Sequence, residues 1–497
     1  MRVGVIGCGY LGSTTAACLA DMGHEVIATD VSQARVDTLS SGTSPIFEPG
    51  LEELLVTGLA SERLRFTTDI AQVAAHSEVV FLCVGTPQLP GELGTDMSQV
   101  NSAAEALFPL LKNAVVVGKS TVPVGTAARL RARLLDLSPD STLVWSPEFL
   151  REGHAIVDTV EPDRIVIGAA EGERRGIDAV RAVFAAQIAA DTPVVECDLA
   201  TAELVKISAN AFLATKISFI NAMSEVCDAA GADVLKLAQA LGYDERIGAK
   251  FLRPGLGYGG GCLPKDVRAL FARGSEIGAA QAVAFLDEVD AINKRCRERV
   301  VELTTKSLGR PLVGATIAVL GAAFKPNTDD TRDSPALDVA GRLHLGGATV
   351  RVYDPVAMSN ARRERPTLTY TESAQAACAG ADIVLLLTEW QEFVHLDPVQ
   401  LGNLIGARVV VDARHVLDKM SGARQVGPTA LQVCLWLRGL PTHYLVRVTR
   451  AAGSSSSSAS SALRCLAARS TSSKPAKNNT SPPMPAHLGA WFKTVLS

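Results

Sequence analysis

Short apolar runs closed by turn residues, alternating with longer stretches of helical period, occupy the first 418 positions of the chain. Arg2–Ile6 reads as a buried strand. It enters Gly7-Cys8-Gly9-Tyr10-Leu11-Gly12, a helical pattern over Ser13–Gly23 follows, and Glu25–Thr29 is a second strand. Further strands are predicted over Glu78–Val84, Ala114–Lys119 and Thr142–Trp145. Asp198–Asp228 is a long helical pattern without Pro or Gly, and Glu276–Arg299 reads as a closing helix. A second strand set lies at Thr316–Leu320, Thr349–Tyr353, Ile383–Thr388 and Arg408–Val411. Strands alternating with helices predict parallel sheets. The expected fold is α/β: two Rossmann-like doubly wound domains joined by a long central helix. The boundaries fall at 1–196, 197–300 and 311–418, with an atypical segment over 419–497.

At 497 residues the chain exceeds one ordinary core, which agrees with two or three domains. A net charge of −4 gives no bulk basic excess, so nucleic acid is not an expected partner. The ten cysteines form no CxxC pair and no His/Cys set at metal-ligand spacing, so reduced thiols and no metal are expected. The N-terminus enters a strand directly, without the profile of a signal peptide. No apolar run reaches the roughly 18 residues of a membrane helix. A cytoplasmic location is expected. After Asp418 the character changes: no Asp or Glu follows, against ten Lys/Arg, and Ser454–Ser458 is a serine run. That is the profile of disorder. With no closing element legible after Val409–Asp412, it points to out-of-frame translation beyond about Lys419.

The glycine pattern Gly7, Gly9, Gly12 stands where a dinucleotide fingerprint must, between a strand and a helix, with an acid at the end of the next strand. Gly7 serves a tight turn, Gly9 close approach to a pyrophosphate, and Gly12 helix-on-strand packing. Asp30, eighteen residues past Gly12, is placed to hydrogen-bond a ribose hydroxyl, which favours NAD over NADP. Arg35 leaves NADP open, or stacks on adenine. The later strands end in Thr/Pro/Gly or acidic turns, where open α/β sheets gather ligands, so Thr86, Thr121, Glu148 and Glu152 are read as lining a site. Lys206 and Asn210, four apart, share a face of the central helix that is otherwise small and apolar, where a lysine's pKa falls readily. Lys325 and Arg332 follow the first strand of the second domain, which lacks the glycine fingerprint, and suit a second phosphate-bearing ligand. Between the two domains lies Arg253-Pro-Gly-Leu-Gly-Tyr-Gly-Gly-Gly-Cys262-Leu-Pro-Lys-Asp266. Its glycines imply close approach of backbone to a substrate, and its thiol a nucleophile.

These motifs together, with Val84–Pro87, Ser120–Thr126, Pro147–Gly153, Glu203–Lys216, Gly255–Asp266 and Phe324–Ser334, resemble the UDP-glucose/GDP-mannose dehydrogenase family from Met1 to about Asp418. The resemblance implies an enzyme with an NAD-binding domain, a UDP-sugar-binding domain, and a homodimer or higher homo-oligomer built around the central helix. It implies four-electron oxidation of UDP-glucose to UDP-glucuronate, through a thiohemiacetal and a thioester on Cys262. Lys206 and Asn210 would hold the reacting oxygen, Asp266 would organise water and proton transfer, and Glu148 would be the base for thioester hydrolysis. Thr121 and Glu152 would help hold water and cofactor. Asp30, Arg35, Thr86, Lys265 and Arg332 would contact NAD. Phe149, Leu150, Arg151, Phe251, Leu252, Arg253, Pro254, Gly255, Gly259 and Lys325 would line the sugar-nucleotide site, and Arg246 would reach a neighbouring subunit's substrate. Nearby lysines would raise the thiolate fraction of Cys262. Asp244–Gly248 and Phe324–Asp330 favour UDP-glucose. GDP-mannose as substrate, and a non-catalytic nucleotide-sugar-binding remnant, are the alternatives.

Overall fold

Apolar runs such as Val79–Leu82 and Val115–Gly118 are buried at every position, as strands covered on both faces require. The structure, a computed structural model, describes residues 1–406, 409–415 and 417, and the backbone of strands at Leu431–Leu435 and Leu445–Val446. The first sheet holds β1 Arg2–Ile6, β2 Glu25–Thr29, β3 Leu64–Thr67, β4 Val79–Leu82, β5 Val115–Gly118, β6 Thr142–Trp145, β7 Ile165–Ala169 and β8 Val194–Asp198. Their order is β3-β2-β1-β4-β5-β6-β7-β8, all parallel except β6 against β7. The second sheet holds β9 Thr316–Leu320, β10 Thr349–Tyr353, β11 Thr369–Tyr370, β12 Ile383–Leu386, β13 Val409–Asp412, β14 Leu431–Leu435 and β15 Leu445–Val446, in the order β11-β10-β9-β12-β13-β14-β15. Both are doubly wound, and in both the order reverses beside the first strand, which opens a crevice at the carboxyl ends. The described residues form one compact unit.

The central helix runs Leu199–Ala230, 32 residues and so about 48 Å long. It follows β8 without a loop: Asp198 ends the strand and caps the helix, accepting from Thr201 N. Gly231, at φ 71°, stops it. Ala211 and Ala214 of this helix pack with Tyr258, Val267, Leu286 and Val289, which fixes two further helices, Leu263–Glu276 and Phe285–Leu308, against it.

Two expectations are corrected. A single closing helix over Glu276–Arg299 does not form. Gly278, at φ 85°, ends the first helix at Glu276, and the next long helix starts at Phe285. Nor does the second sheet stop at β13: β14 pairs with it in parallel, and β15 closes on β14 antiparallel. That pairing is made by backbone, which the loss of acidic side chains leaves intact. The proposed out-of-frame origin of the remaining positions beyond Lys419 lies outside the described residues.

Candidate active site

The fingerprint turn has the geometry its glycines were assigned. Gly7 sits at φ 91°, a Cβ on Gly12 would overlap the Gly7 carbonyl oxygen, and Gly9 faces open space. The helix Tyr10–Asp21 has no side-chain cap at Gly9, so its first N–H groups remain for phosphate. Asp30, at the end of β2, accepts from Cys8 N (2.9 Å) and Ser32 N (3.0 Å) and pairs with Arg35 at 2.9 Å. Burial raises its pKa, but these N–H donors and the guanidinium outweigh it and hold the carboxyl below its ordinary value. Arg35 is thereby tied to the acid.

The second sheet repeats this turn and then closes it. Gly321 (φ 110°) donates to Tyr353 O as Gly7 donates to Thr29 O, both at 2.8 Å. Asp354 takes the place of Asp30. Its Oδ2 accepts from Ala322 N, Ala323 N and Trp390 Nε1, and its Oδ1 from Val356 N and Ala357 N, at 1% exposure. A carboxylate with five donors has no capacity for a ribose, so this lobe is not a second dinucleotide site.

Between the sheets the central helix brings in Lys206 and Asn210, both buried. Lys206 Nζ lies 3.0 Å from Glu148 Oε1, whose Oε2 accepts from Leu150 N at 2.6 Å. Asn210 Nδ2 donates to Asp266 Oδ2 at 2.6 Å, and Lys265 Nζ to Asp266 Oδ1 at 2.6 Å. Burial alone would lower the lysine's pKa, as its apolar face suggested. Glu148, Cys262 and Asp266 reverse the sign, so Lys206 is an ammonium held above its ordinary value. Cys262 stands at the head of the helix Leu263–Glu276, open to solvent on one side and crowded by protein on the others. Crowding, then the Glu152 and Asp266 carboxylates, push its pKa up to about 12 against the pull of Lys206 and Lys265. The nearby lysines therefore do not make a thiolate, because two buried carboxylates and desolvation outweigh them.

The remaining expected residues divide. Arg332 joins the cluster: its Nη2 contacts Glu152 Oε1 (3.1 Å) and Asp330 Oδ2 (2.7 Å), and burial, opposed by Asp330 and Glu152, leaves its pKa raised. Glu152 is raised above an ordinary carboxylate by burial and by Asp330, despite Arg332 and Lys325. Lys325 is lowered by burial, with Glu152 and Cys262 opposing. Thr86 is buried at the end of β4, and Thr121 is half-buried beyond β5. Phe149 lies under Arg164 (3.7 Å) and 5.7 Å from Lys206. Leu252, Pro254 and Gly255 are buried, with Phe251 at φ 65° and Arg253 exposed. Arg151 is tied to Asp158 (2.6 Å) at the surface. Arg246, its side chain 88% exposed, pairs with Asp244, so this chain's own cluster does not include it.

The glycines of the cysteine loop answer to protein neighbours rather than to a ligand. A Cβ on Gly257 would meet Asn293, on Gly259 Asp333 and Pro335, on Gly260 the Phe324 ring, and on Gly261 the Arg332 guanidinium. They let the second lobe and the helix Phe285–Leu308 close on the loop. Sequence reasoning missed Glu48, which accepts from Gly153 N (2.6 Å), Ala155 N (2.8 Å) and the Tyr10 hydroxyl and so fixes the loop bearing Glu148 and Glu152. Thr328, which donates to Glu152 Oε2 at 3.3 Å, was also missed. Glu48 sits in a turn segment with no motif around it, so no sequence signal marks it.

The chain matches the family models described as UDP-glucose/GDP-mannose dehydrogenase family, NAD binding domain, over residues 1–188, central domain over 200–295, and UDP binding domain over 318–419. It is 40% identical over 422 residues to a UDP-glucose 6-dehydrogenase of Rhizobium meliloti, covering 84% of this chain and 96% of that one. It is 39% identical over 431 residues to a UDP-glucose 6-dehydrogenase of Bacillus subtilis, covering 85% and 96%. Its fold resembles the solved structure of a UDP-glucose dehydrogenase from Pyrobaculum islandicum, with a TM-score of 0.78 and 38% identity over 84% of this chain and 96% of that one.

Proposed function

The chain belongs to the UDP-glucose/GDP-mannose dehydrogenase family, and from that premise we propose that it oxidises the C6 alcohol of UDP-glucose to the carboxylate of UDP-glucuronate. The observation that carries the reading is one cluster in which Cys262 meets the Lys206–Glu148 and Asn210–Asp266 pairs, behind an NAD-binding domain.

Gly7, Gly9, Gly12 and Asp30 would hold NAD, which when bound would supply the acceptor for one hydride per molecule, so two NAD molecules would be used in turn. Lys206, kept cationic, would stabilise negative charge on O6 as its proton passes to water organised by Asp266 and the C6 hydrogen leaves as the first hydride, which gives the aldehyde. Cys262 is a thiol at neutral pH, so its addition to the aldehyde is a net transfer: sulfur bonds carbon, and the thiol proton ends on the former carbonyl oxygen. Lys206 and Asn210 hold that oxygen. Loss of the second hydride to a second NAD, and of the hydroxyl proton to water organised by Asp266, would leave a thioester. Water, positioned by Glu148 and Thr121, would give one proton to Glu148 as its oxygen bonds the thioester carbon; the C–S bond breaks, and Glu148 passes that proton to the sulfur, which restores the thiol. Lys325 and the Phe251–Gly255 loop would serve the sugar nucleotide, and Arg332 and Lys265 would contact the cofactor.

The oligomer belongs to the same reading. Phe212, Phe219 and Val226 of the central helix are exposed at seven-residue spacing, a stripe that a second copy would cover. Among the described residues no helix is long and apolar enough to cross a membrane. The eight described cysteines are free thiols, which suits a cytoplasmic setting.

NADH formed per sugar nucleotide consumed tests the reading, with GDP-mannose run in parallel. Two NADH with UDP-glucose alone is expected. One NADH would mean aldehyde release and would remove Cys262 from its role. Turnover of GDP-mannose instead would overturn the substrate.

A further inference from the structure

Glu203 lies on the central helix three residues before Lys206 and seven before Asn210, on the same face. It is 2% exposed, and its carboxylate reaches the start of another helix, Thr126–Leu137. Gly125 N donates to Oε2 at 2.7 Å and Ala127 N to Oε1 at 2.6 Å. That helix has no cap of its own, because Gly125, at φ 96°, carries no side chain. A residue 78 positions away therefore supplies the cap.

The loop is also held from the opposite side. Arg273, on the helix that begins after Cys262, donates from Nε to Val124 O at 3.0 Å. Adjacent backbone groups, Val124 O and Gly125 N, are thus tied to the two helices that carry Cys262, Asp266, Lys206 and Asn210. The far end of the loop is anchored by Ser120 Oγ, which donates to Val84 O at 2.7 Å. Thr126 folds back on Pro123 O at 2.6 Å. Thr121 lies between these fixed points.

We propose that Glu203, with Arg273, is a positioning residue that keys the Thr121 loop to the central helix and the cysteine helix, so that Thr121 keeps register with Lys206, Asn210 and Cys262. This rests on the role given to Thr121 above. A carboxylate suits the task because it accepts twice and complements the positive end of the helix it caps. Glutamine keeps one acceptor and turns an amide toward the other N–H, so one of the two bonds is lost.

The test is a double-mutant cycle with Glu203→Gln and Thr121→Ala, alongside hydrogen exchange of the 120–127 segment. Glu203→Gln is expected to remain folded, to speed exchange at 125–127, and to lower kcat by roughly ten- to a hundredfold with KM for UDP-glucose near wild type. In the Thr121→Ala background it should lower kcat little further. Multiplicative losses in the two backgrounds, or unchanged exchange, would overturn the proposal. If Glu203→Gln does not fold, Arg273→Gln takes its place in the same cycle with the same expected and overturning results. Exchange is read without substrate, so absent turnover in the wild type would count against the substrate reading alone.

Discussion

The thiol of Cys262 is set by its neighbours rather than by its loop. Its upward shift to about 12 is caused by crowding first and by Glu152 next. Replacing Glu152 with Gln should lower the thiol pKa, so iodoacetamide labelling of Cys262 at pH 8 should accelerate severalfold over wild type. Equal labelling rates would remove Glu152 from control of the thiol. Glu152 itself is raised above an ordinary carboxylate. Its ionised form is therefore disfavoured by folding, and its contribution makes stability fall as pH rises from the ordinary value through the raised one. Asp30 has the opposite sign. Its folded pKa is lowered, so the stability it contributes is complete above the ordinary carboxylate value and is lost only as pH falls through the folded one. Replacing Asp30 with Ala should weaken NAD binding about ten- to a hundredfold, the worth of a charge-assisted hydrogen bond. It should also free Arg35 for a 2′-phosphate, narrowing NAD-over-NADP preference. Unchanged discrimination in paired binding titrations would show that the acid does not select the cofactor.

At the scale of elements, the loop after β6 is the part held most indirectly. Tyr10 and Glu48, from the first crevice, clasp Gly153 and Ala155, while Glu148 and Glu152 at the other end reach Lys206 and Arg332. Glu148→Gln keeps the shape of this loop and removes its base. It should accumulate a sugar nucleotide covalently bound to Cys262, visible by intact-protein mass spectrometry after mixing with UDP-glucose and NAD. No adduct with undiminished acid production would move the base elsewhere. Glu48→Ala leaves the buried Ala155 N–H unpaired, at about 1–3 kcal/mol, and leaves Gly153 N with only the Tyr10 hydroxyl. It should lower the denaturation midpoint, disturb the loop and release the Tyr10 hydroxyl of the fingerprint stretch.

For the molecule as a whole, the central helix has two duties on two faces. One face buries Lys206 and Asn210, and the other exposes Phe212, Phe219 and Val226. Phe212→Asp with Phe219→Asp should convert a dimer to monomers in sedimentation velocity. If the exposed Arg246 serves a partner's site, the same variant should lose turnover while still binding NAD. A monomeric wild type would overturn this reading of the apolar stripe.

The sequence alone determined what depends on local period and local turn chemistry. Strands with continuous apolar runs, the glycine fingerprint and its acid, the uninterrupted helical pattern after Asp198, and the cysteine behind its glycines were legible because neighbours in sequence create each signal. Tertiary structure decided what depends on neighbours far apart. Lys206 is raised rather than lowered because Glu148, 58 positions away, lies against it. Cys262 is held above the ordinary thiol value because crowding first, and then Glu152 and Asp266, outweigh the lysines. The glycines of its loop serve Asn293, Phe324 and Arg332. Glu48 bears no local mark, and Glu203, though it opens the Glu203–Lys216 motif, shows nothing there of its distant partner, since a carboxylate that caps a distant loop looks in sequence like any surface acid. Burial and charge sum over space, and spacing along the chain does not encode that sum.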